Sequence, residues 1–394
     1  MKDNRQRPLD RIYQRLSDRL GDSLEREMIA ADSLAPRRTP ARTAAVAVAA
    51  VVYIANIALL AAGVALLVLA HASPVAVVIG LLCLAVVTVI FPRPYRAPKK
   101  DRGDLADHLP ELQRLVGDVA ARIGVAVPDE VRLDDEFNAS WSVEGWRRRR
   151  VLRLGVPLLA ALNGKQTVAL VAHELAHDRN GDARRGLLVG STVQSLSTAL
   201  YLLGPEARPF AAATGTAAGG IMSAAAPLTN AVMWVLSRPV HWLLVLQAHL
   251  LYRDSQRAEY LADDIAATVA GTAAVVALHD VLLAGPDVVA AVRRAVLTGE
   301  HANAELFADV AAAAQDPTQH EDRRRRARKE RRRLAATHPP VTSRIAVLEQ
   351  RRERLEKVFL DPGREGPLRA ELSTTFPAHA RTLIDRARDG LYRG

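Results

Sequence analysis

Two stretches of the chain are apolar beyond what a soluble core helix requires. Residues 44–70 run for 27 positions without a charged side chain, and residues 74–91 for another 18. A bilayer core of about 30 Å is spanned by roughly 20 apolar residues at about 1.5 Å rise each. Both stretches reach that length, the second narrowly. Only His71, Ala72 and Ser73 separate them, so the pattern predicts a transmembrane helical hairpin over 44–91. Two buried helices of a soluble core are the alternative, and 27 uncharged positions weigh against it. A cleaved leader is not expected, because the run starts late and is too long.

A second apolar region covers about 187–251. Leu187–Leu203 is uncharged but rich in Ser and Thr, and Phe210–Leu236 is rich in Ala and Gly. Arg238 interrupts before Pro239–Leu251. Two further spans are expected here, with Arg238 near an interface or facing protein, since charge at the bilayer centre is costly. Amphipathic helices lying against the membrane or over the soluble part are the other reading.

Elsewhere the periodicity is that of a water-facing domain. Leu9, Ile12, Leu16, Leu20 and Leu24 give residues 8–34 a helical stripe, suited to the lipid surface or to packing on the soluble domain. The Pro-rich basic segment 92–104 reads as a linker. Helical spacing predicts Leu105–Ile123, ending at Gly124, then a short helix at Leu158–Leu162 and a longer one at Lys165–Asp178. Val125–Leu133 and Val151–Leu154 read as strands, with Trp141–Trp146 near a turn, giving two or three strands in all. Residues 255–315 are Ala-rich and helical, 341–360 form another helix, and the tail a last one. The fold class is therefore mainly α with a small β-sheet (α+β). Its parts are a 1–43 amphipathic segment, the 44–91 hairpin, the 92–104 linker, a domain over 105–360 that includes the 187–251 spans, and a 361–394 helical tail. No internal repeat is present, and no oligomeric state follows from the pattern.

Composition narrows the classes. Of 394 residues, 49% are hydrophobic and 24% charged, which excludes a disordered chain. A single cysteine excludes a disulfide framework and a cysteine-built zinc site. Cys83, in the second apolar run, reads as a small apolar filler. The net charge of +10 is unevenly placed. Ten Lys and Arg precede the hairpin and five follow it within 93–102, while its connecting loop has none. The positive-inside rule then puts the N-terminus and the soluble part in the cytoplasm. The 47 Arg against 6 Lys suggest a high-GC bacterial genome, hence a multi-pass protein of a bacterial plasma membrane. Residues 321–333 carry nine basic side chains. They could contact anionic lipid or simply be solvated, and with no nucleic-acid-binding motif beside them nucleic acid is not expected as a partner.

The chemistry concentrates in His173-Glu174-Leu175-Ala176-His177, an HExxH motif. Four residues make slightly more than one helical turn, so both imidazoles project from one face and can bind one Zn²⁺. Glu174 can then stand beside an attacking water without ligating, the position of a general base. Its neighbours Val168–Val171, Leu175 and Ala176 are apolar, and polar groups on a buried turn need a partner. A catalytic zinc also needs a third protein ligand. No histidine follows at the metzincin spacing. Glu259 is the best candidate, with Asp263 one turn later able to accept the outer N–H of a ligating imidazole. Asp264 and Glu305 compete on composition alone.

These residues resemble the membrane-bound gluzincin zinc metallopeptidases, the HtpX and CAAX prenyl endopeptidase family. The matching features are Asn138-Ala139, then His173 to His177 followed by Asn180-Gly181-Asp182, the Glu259-to-Asp263 segment, and Thr337-His338-Pro339-Pro340 with Arg344 and Ile345. They cover roughly residues 105–350. The resemblance implies a zincin-type catalytic domain in which His173, His177 and Glu259 bind one Zn²⁺ per chain. It implies Glu174 as catalytic base and Asp263 as the acid behind a ligand. His338 would stabilise the oxyanion or fix the C-terminal segment, with more weight on the second. Asn138 and Ala139 would mark the strand onto which an extended substrate adds. Departures are Ser255-Gln256-Arg257-Ala258, where relatives often carry a run of arginines, and Ser140-Trp141 after the strand motif. The expected activity is zinc-dependent hydrolysis of unfolded or membrane polypeptides in quality control, with the lipid bilayer and polypeptide substrates as partners. Prenyl-tail processing and a non-enzymatic scaffold retaining a metal site are the alternatives.

Overall fold

The computed structural model describes residues 21–31, 34, 40–181, 186–204, 217–298, 305–329, 338–358, 360 and 362–392. The chain is mainly helical with one small sheet. A short helix α1 (21–30) precedes the apolar helices α2 (Pro40–Leu69) and α3 (Pro74–Ile90). Then come β1 (Asp104–Leu105), α4 (Pro110–Ile123), β2 (Glu130–Asp134), β3 (Ala139–Glu144), β4 (Arg149–Gly155), α5 (Val156–Ala161) and α6 (Gly164–Arg179). The remainder is helical: α7 (Ser191–Leu203), α8 (Ala217–Ala270), α9 (Thr272–Leu282), α10 (Gly285–Thr298), α11 (Glu305–Gln315), α12 (His320–Lys329), α13 (Val341–Gln350), α14 (Pro362–Ser373) and α15 (Phe376–Tyr392). The described residues divide into two compact units. One is drawn from 38–95 and 184–254, the other from 1–37, 96–183 and 255–394.

The first unit is apolar on its outside. α2 and α3 pack against each other, and along both of them Val51, Ile54, Val68, Val75 and Leu82 are exposed. Such a surface is unsuited to water. Small residues allow the close approach: a Cβ on Gly63 would meet Cys83 Cβ at 3.0 Å. Polar side chains inside bond to neighbours within the unit, although Asn56 Oδ1 and Gln247 Oε1 make no hydrogen bond among the described residues. Asn56 donates to the Val52 carbonyl (2.9 Å), Tyr53 and Ser191 share a hydrogen bond (3.0 Å), and buried Gln247 donates to the Ala45 carbonyl and to Thr192 Oγ1 (3.1 Å each). Among the described residues, α2 and the 231–270 part of α8 are long and apolar enough to cross a membrane. α3 and 188–203 are shorter apolar helices. Residues 205–216, part of the expected second pair of spans, lie outside the described residues. Arg238 rests over the Trp234 ring, 4.3 Å from its centroid, so the aromatic face offsets its charge.

The second unit surrounds a four-stranded sheet of order β1-β2-β4-β3. β2 and β4 are parallel, while β1 and β3 add antiparallel at the two edges. β4 is buried from Val151 to Gly155, while β2 alternates, with Val131 and Leu133 facing the core. Trp141–Glu144, expected near a turn, belongs to β3, and the turn follows at 145–148. The basic run beyond it is drawn into strand pairing: Arg149 pairs with Glu130, and Arg150 with Asp129 at 2.8 Å. The helix expected from Leu105 starts at Pro110, whose missing N–H suits a first helical position. α13 stops at Gln350 rather than 360. Beyond it, the Lys357 and Val358 N–H groups donate to the Val269 carbonyl at 2.8 and 3.1 Å, a competing set of bonds.

The tail is bonded to the core. Glu371 on α14 accepts from the Glu111 and Leu112 N–H groups at 2.8 and 2.9 Å, capping α4. Within α1, Met28 is buried against Tyr260 and Val347, and Arg351 donates to the Met28 and Ala31 carbonyls. This part of the amphipathic segment packs on protein, and residues 8–20 lie outside the described residues.

The basic run 321–333 is divided in role over its described part, 321–329. Arg323 is buried, paired with Asp287 at 2.7 Å and bonded to the Ala313 and Ala314 carbonyls. Arg324 forms a bidentate pair with Asp280 at 2.6 and 2.7 Å. Arg325 is exposed and, among the described residues, pairs with Asp322 alone, one turn away. Arg323→Ala is therefore expected to cost about 2–3 kcal/mol, for two orphaned carbonyls and a broken charge pair. Arg325→Ala should stay within about 0.5 kcal/mol. Thermal unfolding of the two variants in detergent checks this, and equal midpoints would refute the division.

Candidate metal centre

The HExxH turn lies on a helix that is fixed at its start and buried along its length. Asn163 and Gln166 form a reciprocal capping box at the N-terminus of α6. Glu365 from α14 accepts from the Gly164 N–H at 2.9 Å, placing a negative charge at the positive end of the helix. Val168 to Ala172, Leu175 and Ala176 are all buried. His173 and Glu174 are buried with them, and their desolvation must be compensated by specific partners.

Those partners come from three other helices of the same unit. The apolar part of α8 ends at Leu251, and the stretch from Arg253 to Asp264 carries six charged side chains. Glu259 and Asp263, one turn apart on it, are both buried. His173 Nδ1 lies 3.0 Å from Asp263 Oδ1, and its Nε2 lies 3.5 Å from Glu259 Oε2. His177 Nε2 is 3.6 Å from Glu259 Oε1. The rings of His173 and His177 stand at 90° with centroids 5.1 Å apart. Both Nε2 atoms thus face one carboxylate, while Asp263 takes the far side of His173.

α13 supplies Arg344, which is buried and bridges the two acids. Its guanidinium donates to both oxygens of Asp263 at 2.6 and 2.7 Å and reaches Glu259 Oε2 at 3.0 Å. α9 supplies His279, fully enclosed, with Nε2 3.1 Å from Asp263 Oδ1. His338, largely exposed, brings Nδ1 to 2.9 Å from Glu259 Oε1. Asn138 and Ala139 are at the start of β3, the sheet edge that packs on α6. The Asn138 carbonyl accepts from the Gly155 N–H at 2.9 Å, and Ala139 pairs with Leu154. Gly155 is required there, since a Cβ would fall 1.7 Å from the Glu136 carbonyl oxygen.

Protonation follows from these contacts. Burial and Arg344 oppose a charge on His173, but the carboxylates of Asp263 and Glu259 beside it outweigh them and push its pKa up to about 10. Burial holds His279 below the ordinary histidine value. Burial also opposes the charge of Arg344, and Asp263 and Glu259 more than restore it.

The donor set fits a divalent cation. One ligand atom each from His173, His177 and Glu259 lie within 4.8 Å of one another. Two imidazoles and a carboxylate are a zinc-type set that leaves one position open. Glu259 Oε2 is buried without a hydrogen bond, because Arg344 approaches it without the alignment a hydrogen bond needs.

The structure thus brings His173, Glu174, His177, Glu259, Asp263 and His338 into one region. The competing acids are elsewhere: Asp264 pairs with Arg354 at 2.8 Å, and Glu305 is exposed at the start of α11. His279 was not singled out by sequence reasoning, and no local motif marks it. Arg344 was visible only as part of the His338 segment. Asp182 and Thr337, two of the motif residues, lie outside the described residues.

Comparison with known families gives a match to Peptidase family M48 over residues 107–352. Searches of curated proteins and of solved structures give no match.

Proposed function

The chain belongs to peptidase family M48, and on that premise we propose that it is a membrane-anchored zinc endopeptidase that hydrolyses unfolded or membrane polypeptides in quality control. Peptidases of this family are zinc-dependent, and one group of this chain could hold the metal. The observation that carries the reading is the convergence of His173, His177 and Glu259 around a common point with Glu174 on the same buried turn.

Zinc, when bound there, supplies the Lewis acidity that polarises a scissile carbonyl and acidifies an attacking water. His173, His177 and Glu259 would hold it. Asp263 accepts the Nδ1–H of His173, which fixes the tautomer and leaves Nε2 facing Glu259, where it would be free to ligate. Arg344 and His279 in turn hold Asp263. Glu174 takes the proton of the water and returns it to the leaving amine. β3 is the edge at which an extended substrate adds as a further strand, running past the helix that carries Glu174. His338, beside Glu259, fixes the segment leading to α13.

The exposed apolar faces of α2 and α3 support membrane anchoring, and the arginine-rich flanks support an active site in the cytoplasm of a bacterium. Among the described residues two helices, or three if the bent pair α9–α10 counts as one span, are long and apolar enough to cross a membrane, which favours quality control over prenyl-tail processing with its larger enclosing bundle.

The test is turnover of casein by the full chain in detergent. Cleavage should stop with a chelator and return with zinc but not magnesium. Cleavage that is indifferent to chelation would overturn the proposal.

A further inference from the structure

A second charged site lies at the β3–β4 turn, and no residue that lines it takes part in the proposed peptidase chemistry. The β3–β4 turn and the segment after the linker enclose a cavity of about 410 Å³. Arg96, Arg102, Arg132, Arg147 and Arg149 line it against two acids, Glu130 and Glu144. Five guanidinium groups facing two carboxylates leave three positive charges over.

The two acids are already engaged. Glu130 pairs with Arg132 at 2.6 Å and with Arg149. Glu144 pairs with Arg153, a buried side chain of β4. Arg102 donates its Nε to the Ala97 carbonyl at 3.1 Å and has no carboxylate partner among the described residues. Arg96 and Arg147 are exposed and have no carboxylate partner among the described residues. A cavity with this balance takes an anion, and its volume is well above that of a single ion.

Two further observations identify the source of the anion. Trp146, at the turn, lines the same cavity with 75% of its surface exposed. An exposed indole adds nothing to free phosphate, but it suits the boundary between headgroup and acyl chain. Arg96 also follows the end of α3 by only six residues, and a basic cluster just beyond an apolar helix is the pattern that recognises anionic lipid. The turn is held with Arg148 at a φ of 52°, a conformation uncommon for a non-glycine residue.

We propose that this cavity binds the phosphate headgroup of an anionic membrane lipid of the phosphatidylglycerol class, with Arg96, Arg102 and Arg147 on the phosphate and Trp146 at the glycerol and upper acyl chain. The proposal rests on the membrane-anchored part of the function above and is independent of zinc.

The full chain in detergent, titrated with dioleoyl phosphatidylglycerol or dioleoyl phosphatidylcholine and read by native mass spectrometry, tests it. Phosphatidylglycerol should be retained in preference, and Arg96→Gln with Arg147→Gln should weaken retention about 30-fold. Both side chains are exposed, so the thermal midpoint should not move. Trp146→Ala should weaken the lipid and leave any inorganic phosphate binding unchanged. Equal retention of the two lipids, or unchanged phosphatidylglycerol retention in the double variant, would overturn the site. Inorganic phosphate displacing the lipid at millimolar concentration in wild type and Trp146→Ala alike would make it a free-phosphate site. Recovery of the chain in the soluble fraction without detergent would instead be a failure of the membrane reading.

Discussion

Glu174→Gln is expected to lower casein turnover by about 10²–10⁴-fold while the metal content stays that of wild type. The substitution keeps the size of the side chain and removes only its ability to take a proton. Glu174 is buried on the turn that also carries His173 and His177, so an amide fits the same space. The two histidines and Glu259 are untouched, which separates proton transfer from metal retention. A structural Glu174 would give the opposite pattern, with stability reduced and turnover per folded molecule kept. Metal analysis, thermal midpoint and initial rates on the same preparation distinguish the two. Turnover within threefold of wild type would remove Glu174 from the role of base.

Arg344→Met is expected to lower stability by about 3–5 kcal/mol, the cost of leaving a buried charge without its partner. Its guanidinium is the common counter-ion of Glu259 and Asp263, at 3.0 Å from one and 2.6 Å from the other. Without it, two buried carboxylates face one another across His173 with only imidazoles to offset them. A chelator should therefore widen the difference from wild type, because a bound cation stabilises only the folded state. Arg344→Lys should fall between the two, since an ammonium cannot span both acids with the geometry of a planar fork. Chemical or thermal unfolding with and without chelator checks this. A loss below about 1 kcal/mol for Arg344→Met would show that Glu259 and Asp263 have another counter-ion.

The parts legible in the sequence are those with short-range signals. The HExxH turn reveals itself by spacing alone, and the apolar helix around it implied that the polar groups needed partners. Glu259 and Asp263 followed from one-turn spacing together with the family resemblance, and the match over residues 107–352 supports that family. The apolar runs 44–70 and 74–91 were equally plain, and the helices found there are Pro40–Leu69 and Pro74–Ile90. What was hidden depends on pairing across long separations. Trp141–Glu144 reads as part of a turn because the basic residues Arg149 and Arg150 opposite its end pair with acids, Glu130 and Asp129, that lie far away in sequence. Arg323 and Arg324 look like part of a solvated run until Asp287 and Asp280 are seen opposite them. His279 has no local signature, since what defines it is Asp263, 16 residues earlier on another helix. The length of α13 was overestimated because its continuation satisfies its backbone on Val269 instead of on the helix.

The central claim is that His173, His177 and Glu259 hold one catalytic zinc, and metal analysis of the purified full chain beside Glu259→Ala tests it most directly. Casein turnover should be read on the same samples. About one zinc per chain in wild type is predicted, lost in the variant together with turnover while the variant remains folded. Wild-type chain that holds no zinc after full reconstitution, or a Glu259→Ala variant that keeps both zinc and turnover, would contradict the account.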